Sequence, residues 1–175
     1  MRSIMIAMAG LSIATISPLS AQRVVHLSLG GGVAIPAGTF RDTYSVKESA
    51  TAILTAGSQD SWLGARLDYS YNELAGQKVL GKQYHGTHMN IATADLVASF
   101  PLGWSIKPYL IGGGGWYQHQ EDGNVKWSSD PGVSGGVGFT FPFPISTGFM
   151  EVRYHRIYGR TVSEQLVPVT FGIVF

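Results

Sequence analysis

The sequence predicts an all-β protein, an eight-stranded antiparallel up-and-down transmembrane β-barrel. Three observations support this prediction. Apolar and more polar residues alternate with a period of two in most of eight segments, which is typical of strands with two different faces. The connections between the segments are alternately long and short, as in barrels whose loops and turns lie on opposite sides of a membrane. The charged residues of the segments lie opposite the large apolar ones.

The first residues predict a secretory signal peptide. Residues 1–3 are a short basic start, residues 4–16 are mostly apolar, and residues 18–21 resemble a cleavage region. We expect cleavage after Ala21, so that residues 22–175 form one outer-membrane β-barrel domain. The alternative is an uncleaved membrane anchor, for which the apolar run is short.

Composition narrows the class of protein. The chain has 12 basic and 11 acidic residues, and the predicted signal peptide contains one arginine and no acid, which leaves 11 of each (12 − 1 = 11) and no net charge with histidine neutral. Nothing in this balance suggests electrostatic binding of nucleic acid. Without cysteine, the chain offers no disulfide, zinc thiolate or thiol nucleophile. With 23 glycines and no later run of ~18 apolar residues, the exported chain is either a soluble all-β protein or a membrane barrel.

The predicted strands follow from the alternation, in order along the chain. The first, third and fourth alternate clearly, and the second is weaker. In the fifth strand four glycines at 112–115 leave the register poorly specified. Gly135 interrupts the apolar face of the sixth, and the apolar face of the seventh lies opposite Glu151 and Arg153. The strands span about residues 25–35, 48–56, 63–72, 88–100, 106–118, 133–141, 149–155 and 165–175.

Turn-forming residues separate the strands, with proline or glycine at several of the breaks. The long connections are residues 36–46, 73–87, 120–131 and 156–164. The short turns are residues 57–61, 101–105 and 142–146. We expect the long loops outside the cell and the short turns on the periplasmic side.

The charged residues decide which face points inwards. They are Arg66, Asp68, Asp95, Glu151 and Arg153. In a membrane barrel they must face the lumen, because an arginine against lipid near the midplane costs ~2–4 kcal/mol. An eight-stranded barrel is just wide enough for side chains to fill it, and buried charges persist when they are paired. We therefore predict a lumen charge network that plugs the barrel, with an ion pathway as the alternative.

Aromatic residues near the strand ends predict two girdles at the membrane interfaces. On the loop side they are Tyr69, Tyr71, Tyr117 and Tyr154. On the turn side they are Phe100, Trp104, Tyr109, Phe141 and Phe175.

The last predicted strand has one continuous apolar face, formed by Val167, Val169, Phe171, Ile173 and Phe175. Its length is about the ~9–11 residues that a tilted strand needs to cross a bilayer, so we assign this face to lipid. The segment resembles the closing strand of Gram-negative outer-membrane barrels, where a final Phe is similar to the signal read by the barrel assembly machinery. The resemblance implies an assembly signal at Phe171, Ile173 and Phe175, with the assembly machinery and outer-membrane lipid as partners.

Three internal sequence segments show a wider resemblance. They are Lys-Pro-Tyr-Leu-Ile-Gly-Gly-Gly-Gly-Trp-Tyr at 107–117, Gly-Gly-Val-Gly-Phe at 135–139 and Glu-Val-Arg-Tyr-His at 151–155. They are similar to repeated phrases of the small outer-membrane β-barrel domain family, the OmpA/OmpX/opacity-like proteins. The resemblance implies a non-enzymatic structural, adhesion or surface-interaction protein whose loops meet an extracellular ligand or host surface. It brings no cofactor and no catalytic residues to carry over.

Two further groups of residues could form a catalytic site or a metal site. His26 and Ser28 share the lumen face, and with Glu151 they would form a lipid-hydrolase triad, but such a site must meet lipid. His85 and His88 have a spacing that suits a metal ion, yet no third ligand is evident in that segment. We therefore predict neither an enzyme nor a metal site. The alternative functions are an outer-membrane lipid-modifying enzyme and, second, a narrow porin.

Overall fold

The computed structural model describes most of the chain after the predicted signal peptide. Residues 1–21 and Trp104 lie outside the described residues. The described ranges are 23–58, 62–79, 82–83, 85–100, 102–103, 105–121, 127–159 and 163–175. Within these ranges no helix is both long enough and apolar enough to span a bilayer.

Eight antiparallel strands close into a barrel, which confirms the predicted fold. Each strand pairs with its neighbours in sequence, and the last pairs with the first, from Ser28 opposite Val174 to Ala37 opposite Gln165. The strands are β1 (Arg23–Ala37), β2 (Lys47–Ser58), β3 (Leu63–Gly76), β4 (Thr87–Ser99), β5 (Lys107–Glu121), β6 (Ser128–Phe143), β7 (Ser146–Tyr158) and β8 (Ser163–Val174).

The two ends of the barrel differ in their connections. The loop end carries the connections β1–β2, β3–β4, β5–β6 and β7–β8, and the turn end carries the other three. The first loop contains a 3-10 helix, Gly38–Asp42, and a short strand, Tyr44–Ser45, which pairs with the end of β3. In the second loop Lys78–Val79 pairs with Lys82–Gln83.

Several strands are longer than the sequence predicts. β1 continues through Pro36, and β6 begins at Ser128 and runs to Phe143. The third and fourth loops therefore shrink to residues 122–127 and 159–162, and the prediction of long connections is wrong there. The physical reason is that backbone pairing needs only a partner strand, whereas apolar alternation marks only the part of a strand that faces lipid.

The two faces of the wall have opposite character. Leu67 and Leu96 are 57% and 60% exposed on the outside, whereas Arg66 and Asp95, one residue away, are 6% and 4% exposed. The apolar residues that the sequence assigns to one face of β1, β3, β4, β6 and β8 likewise lie on the outer face, as predicted. The barrel therefore presents an apolar belt outwards, and the charged side chains of these strands point inwards.

Two of the predicted girdle residues lie elsewhere. Tyr109 and Tyr117 on β5 are buried in the lumen, at 6% and 0% exposure, so their assignment to the girdles is wrong. The four glycines between them carry no side chains, so the sequence does not show which face of β5 points inwards. Only the pairing with β4 and β6 decides that direction. The other described members, Tyr69, Tyr71, Tyr154, Phe100, Phe141 and Phe175, are exposed or half-buried.

Glycine occupies inner positions that have no room for a side chain. A Cβ at Gly136 of β6 would lie 2.4 Å from the carbonyl oxygen of Val152 and 2.8 Å from Cγ of Arg153. Its neighbour Gly135 points outwards, where a Cβ would make an ordinary contact at 3.8 Å. The inner face of this small barrel is therefore crowded, and part of the glycine content serves the packing of the lumen.

This difference makes a prediction about two adjacent glycines. Gly136→Ala should lower the free energy of unfolding by about 1–3 kcal/mol, the usual cost of overpacking. Gly135→Ala should leave it nearly unchanged. Urea unfolding of both variants in the same detergent measures the difference, and equal stabilities would contradict the crowded lumen.

Candidate functional site

Five charged side chains meet in the middle of the lumen, and we call them the lumen charge network. Arg66 and Asp68 lie on β3, Asp95 on β4, and Glu151 and Arg153 on β7. β3 and β7 are opposite each other in the ring of strands and run in the same direction. Because Arg precedes Asp on β3 while Glu precedes Arg on β7, each arginine faces a carboxylate across the lumen.

The pair nearer the turn end joins Arg66 to Glu151. Arg66 donates from Nη1 to Glu151 Oε2 at 2.6 Å and from Nη2 to Oε1 at 2.9 Å. This bidentate geometry is the strongest arrangement of the two groups. Tyr109 also donates its hydroxyl to Glu151 Oε2 at 2.7 Å. Arg66 Nε donates to Asp68 Oδ1 at 2.7 Å, which links this pair to the next.

The pair nearer the loop end is built around Arg153. Its Nη1 donates to Asp68, and its Nη2 donates to Asp95 Oδ1 at 2.7 Å and to Ser134 Oγ at 2.6 Å. Thr93 donates its hydroxyl to Asp95 Oδ2 at 2.6 Å. The result is one continuous set of hydrogen bonds from Glu151 to Asp95.

The network is buried, so its stability depends on the pairing of its charges. None of its five members is more than 7% exposed. Two arginines and three acids give a formal charge of −1 (2 − 3), and the hydroxyls of Tyr109, Thr93 and Ser134 supply the further donors. Buried charges are tolerated only when partners of this kind replace water. The paired side chains of the network therefore fill the cross-section of the lumen.

Three members of the surrounding shell were not predicted from the sequence. Thr93 and Ser134 carry no signal beyond lying on the polar face of their strands. The ring of Tyr109 lies above Gly138 of the neighbouring strand. A Cβ at Gly138 would be 2.4 Å from Tyr109 Cζ. An aromatic residue packed against a glycine of the next strand can be recognised only once the pairing of the two strands is known.

The loop end of the lumen is closed by a second cluster, which we call the loop-end cluster. Tyr117 and His155 meet at 2.8 Å between the phenol oxygen and Nδ1. The rings of Phe40 and Tyr44 in the first loop pack in a tilted arrangement, with 4.6 Å between their centroids and 52° between their planes. Gln77 holds that loop by donating from Nε2 to the carbonyl oxygen of Tyr44 at 2.8 Å. Its apolar members are Ala34, Phe40, Tyr44, Leu74, Met89, Ile91, Tyr117, Ile157 and Leu166.

The structure shows where the three residues of the alternative lipid-hydrolase triad lie. Ser28 is buried on the lumen face of β1, and His26 is exposed near its start. Glu151 Oε1 accepts from Arg66, and Oε2 accepts from Arg66 and Tyr109, so this carboxylate does not orient a catalytic histidine.

The two histidines whose spacing suits a metal ion do not gain a third ligand in the described part of the chain. His88 lies on the outer rim, where its Nδ1 is 2.7 Å from the hydroxyl of Tyr71 and 3.7 Å from Glu73, and His85 is exposed. No group of three or more His, Asp or Glu residues suited to a metal ion occurs in the described ranges.

The closing-strand residues lie on the outer face. Phe171 and Phe175 are 50% and 64% exposed, and Ile173 is half-buried between β1 and β7. Phe175 donates its backbone N–H to the carbonyl oxygen of Leu27 at 2.7 Å, so the chain stays in the sheet to its last residue.

Comparison with solved structures identifies the class of fold. Neisserial surface protein A matches with a TM-score of 0.63 at 13% sequence identity, over 86% of this chain and 95% of that one. OprG of Pseudomonas aeruginosa matches with 0.58 at 15%, over 89% and 98%. The N-terminal β-barrel domain of Pseudomonas aeruginosa OprF matches with 0.52 at 15%, over 88% and 100%. No protein-family model matches the chain, and no curated protein matches it in sequence.

These solved structures are small outer-membrane β-barrels of eight strands. At such low sequence identity the likeness concerns the fold. The chain thus has the fold of the small outer-membrane β-barrels, and the fold implied by its resemblance to the OmpA/OmpX/opacity-like proteins is confirmed.

The pairing geometry predicts a large effect of removing one arginine. Arg153→Ala leaves Asp68 and Asp95 buried without their shared partner, so the free energy of unfolding should fall by about 3–5 kcal/mol. Lys78→Ala, at an exposed site of the second loop, is the control and should change it little. Unfolding both variants in detergent tests this, and equal effects would contradict a structural role of the network.

Proposed function

We propose that this protein is a small non-enzymatic outer-membrane barrel that presents its loops to a ligand or surface outside the cell. The observation that carries the proposal is the filled lumen: the charge network occupies its middle and the loop-end cluster closes its outer end. A barrel built in this way offers its outer rim and loops for interaction, because the side chains of the charge network and of the loop-end cluster are committed to one another.

The outer face supports the membrane location. An unbroken apolar belt with exposed Leu67, Leu96 and Phe171 is stable against hydrocarbon and costly in water. The predicted signal peptide supplies export, with cleavage after Ala21, and the remaining residues 22–175 constitute the barrel domain.

The loop end supplies the contact surface. Val46 and Trp127 are each 50% exposed there, and Tyr158 at the end of β7 is 45% exposed. Exposed aromatic and aliphatic side chains among polar loops are typical of surfaces that bind a partner. We propose an extracellular ligand or host surface as that partner.

The lumen charge network has a structural role in this proposal. Its charges hold β3, β4 and β7 together across the lumen and occupy the middle of it. The observations favour neither a porin nor a lipid-modifying enzyme, since Glu151 is committed to Arg66.

Labelling of single cysteines on intact cells tests the location and the orientation together. The natural chain has no cysteine, so Lys78→Cys in the second loop and Ser105→Cys in a turn each introduce one reactive thiol. A membrane-impermeant maleimide should modify the Lys78→Cys variant on intact cells and the Ser105→Cys variant only after the outer membrane is permeabilised. The reverse order, or equal labelling of both on intact cells, would overturn the proposed orientation.

We also propose that Phe171, Ile173 and Phe175 form the assembly signal, and two variants separate assembly from stability. Deleting Phe175 should reduce the yield in the outer membrane while assembled molecules keep their stability. Ile173→Arg should weaken the folded barrel, by between about 0 and 4 kcal/mol depending on depth. Yield from outer-membrane fractions and unfolding in detergent measure the two effects. Normal yield without Phe175, together with normal stability of Ile173→Arg, would contradict the lipid-facing position of this strand and its role as a signal.

A further inference from the structure

A cavity of about 310 Å³ lies in the lumen between the charge network and the turn end. Arg66 and Tyr109 form its inner end, and His26, which is exposed, lies toward its outer end. A void of about 20 Å³ lies on the loop side of the network, which is enough for about one water molecule. The cavity is therefore reached from the turn end and is blind at the network.

The charged group in its wall is already compensated. All three guanidinium nitrogens of Arg66 donate to Asp68 or Glu151, and Tyr109 donates to Glu151. A charged molecule that entered the cavity would lose its hydration and find no free counter-charge at the inner end. Burying an unpaired charge is far more costly than burying a neutral polar group that finds a hydrogen bond.

The neutral groups of the wall are free to bind. Five hydroxyls from five different strands line the cavity, and none of them makes a side-chain hydrogen bond to another described residue. They belong to Ser28, Thr55, Ser99, Thr140 and Thr147. Between them lie apolar side chains, namely Ile53, Val97, Phe149 and Val174.

We propose that the turn end of the lumen is a binding site for a small uncharged molecule with an apolar body and one or two hydroxyl or amide groups. The volume lies within the range of small-molecule pockets, about 300–1,000 Å³. The apolar side chains would cover the body of the ligand, and the five hydroxyls would bond its polar groups. This site faces the side opposite the loops, so it is distinct from the proposed external contact surface.

Single-cysteine chemistry tests the access and the charge preference. Ser28→Cys places a thiol in the wall, and Thr140→Cys is a second variant in the same wall. Ser105→Cys, in an exposed turn, is the control. Neutral hydroxyethyl, cationic trimethylammonioethyl and anionic sulfonatoethyl methanethiosulfonates are compared by the rate of mass increase on the purified full chain in detergent. Relative to the control, the charged reagents should react with the wall thiols at least about tenfold more slowly than the neutral one.

Protection by a defined probe tests binding itself. Cyclohexanol should slow the labelling of Ser28→Cys and Thr140→Cys by the neutral reagent and leave Ser105→Cys unaffected. Cyclohexylammonium and cyclohexanecarboxylate, which share the ring and differ in charge, should not protect. Protection by the charged probes equal to that by cyclohexanol, no protection by cyclohexanol, or equal rates for all three reagents would each overturn the proposal.

Discussion

The structure depends on the pairing of charges across the lumen. Two strands that run in the same direction on opposite sides of the ring carry the reversed orders Arg-x-Asp and Glu-x-Arg. This reversal lets Arg66 meet Glu151 while Arg153 meets Asp68 and Asp95. In a low-dielectric interior each of these charges would be untenable alone. The barrel must therefore hold β3 and β7 in a fixed relative register, and the other packing features follow from that requirement.

Glycine is the second condition for the same arrangement. The long side chains of the network need space inside a ring of only eight strands, and neighbouring strands provide it by carrying no side chain at the facing positions. Gly136 lies beneath Arg153, and Gly138 lies beneath Tyr109. A large polar or aromatic residue on one strand is thus matched by a glycine on the next, which gives dense packing without widening the barrel.

The lumen is asymmetric along its axis, and this asymmetry organises the functional proposals. Toward the loops, the first loop folds inwards and Phe40 and Tyr44 join an apolar cluster that seals the mouth. Toward the turns, hydroxyls and apolar side chains border a cavity that stops at Arg66. The loop end therefore interacts through its exposed surface, whereas the turn end has room for a small molecule.

The sequence by itself determined the all-β class, the inward direction of the five charged residues and the outward direction of the closing strand. A period of two assigns alternate residues to opposite faces, and the cost of a charge in lipid decides which face is inside. Only the tertiary structure decided which acid each arginine meets, that Tyr109 and Tyr117 point inwards, and where the strands end. Pairing across a lumen depends on the register of strands that are far apart in sequence. A run of glycines carries no side chains, so it does not show which face of its strand points inwards. Backbone hydrogen bonds extend a strand whether its side chains are apolar or polar.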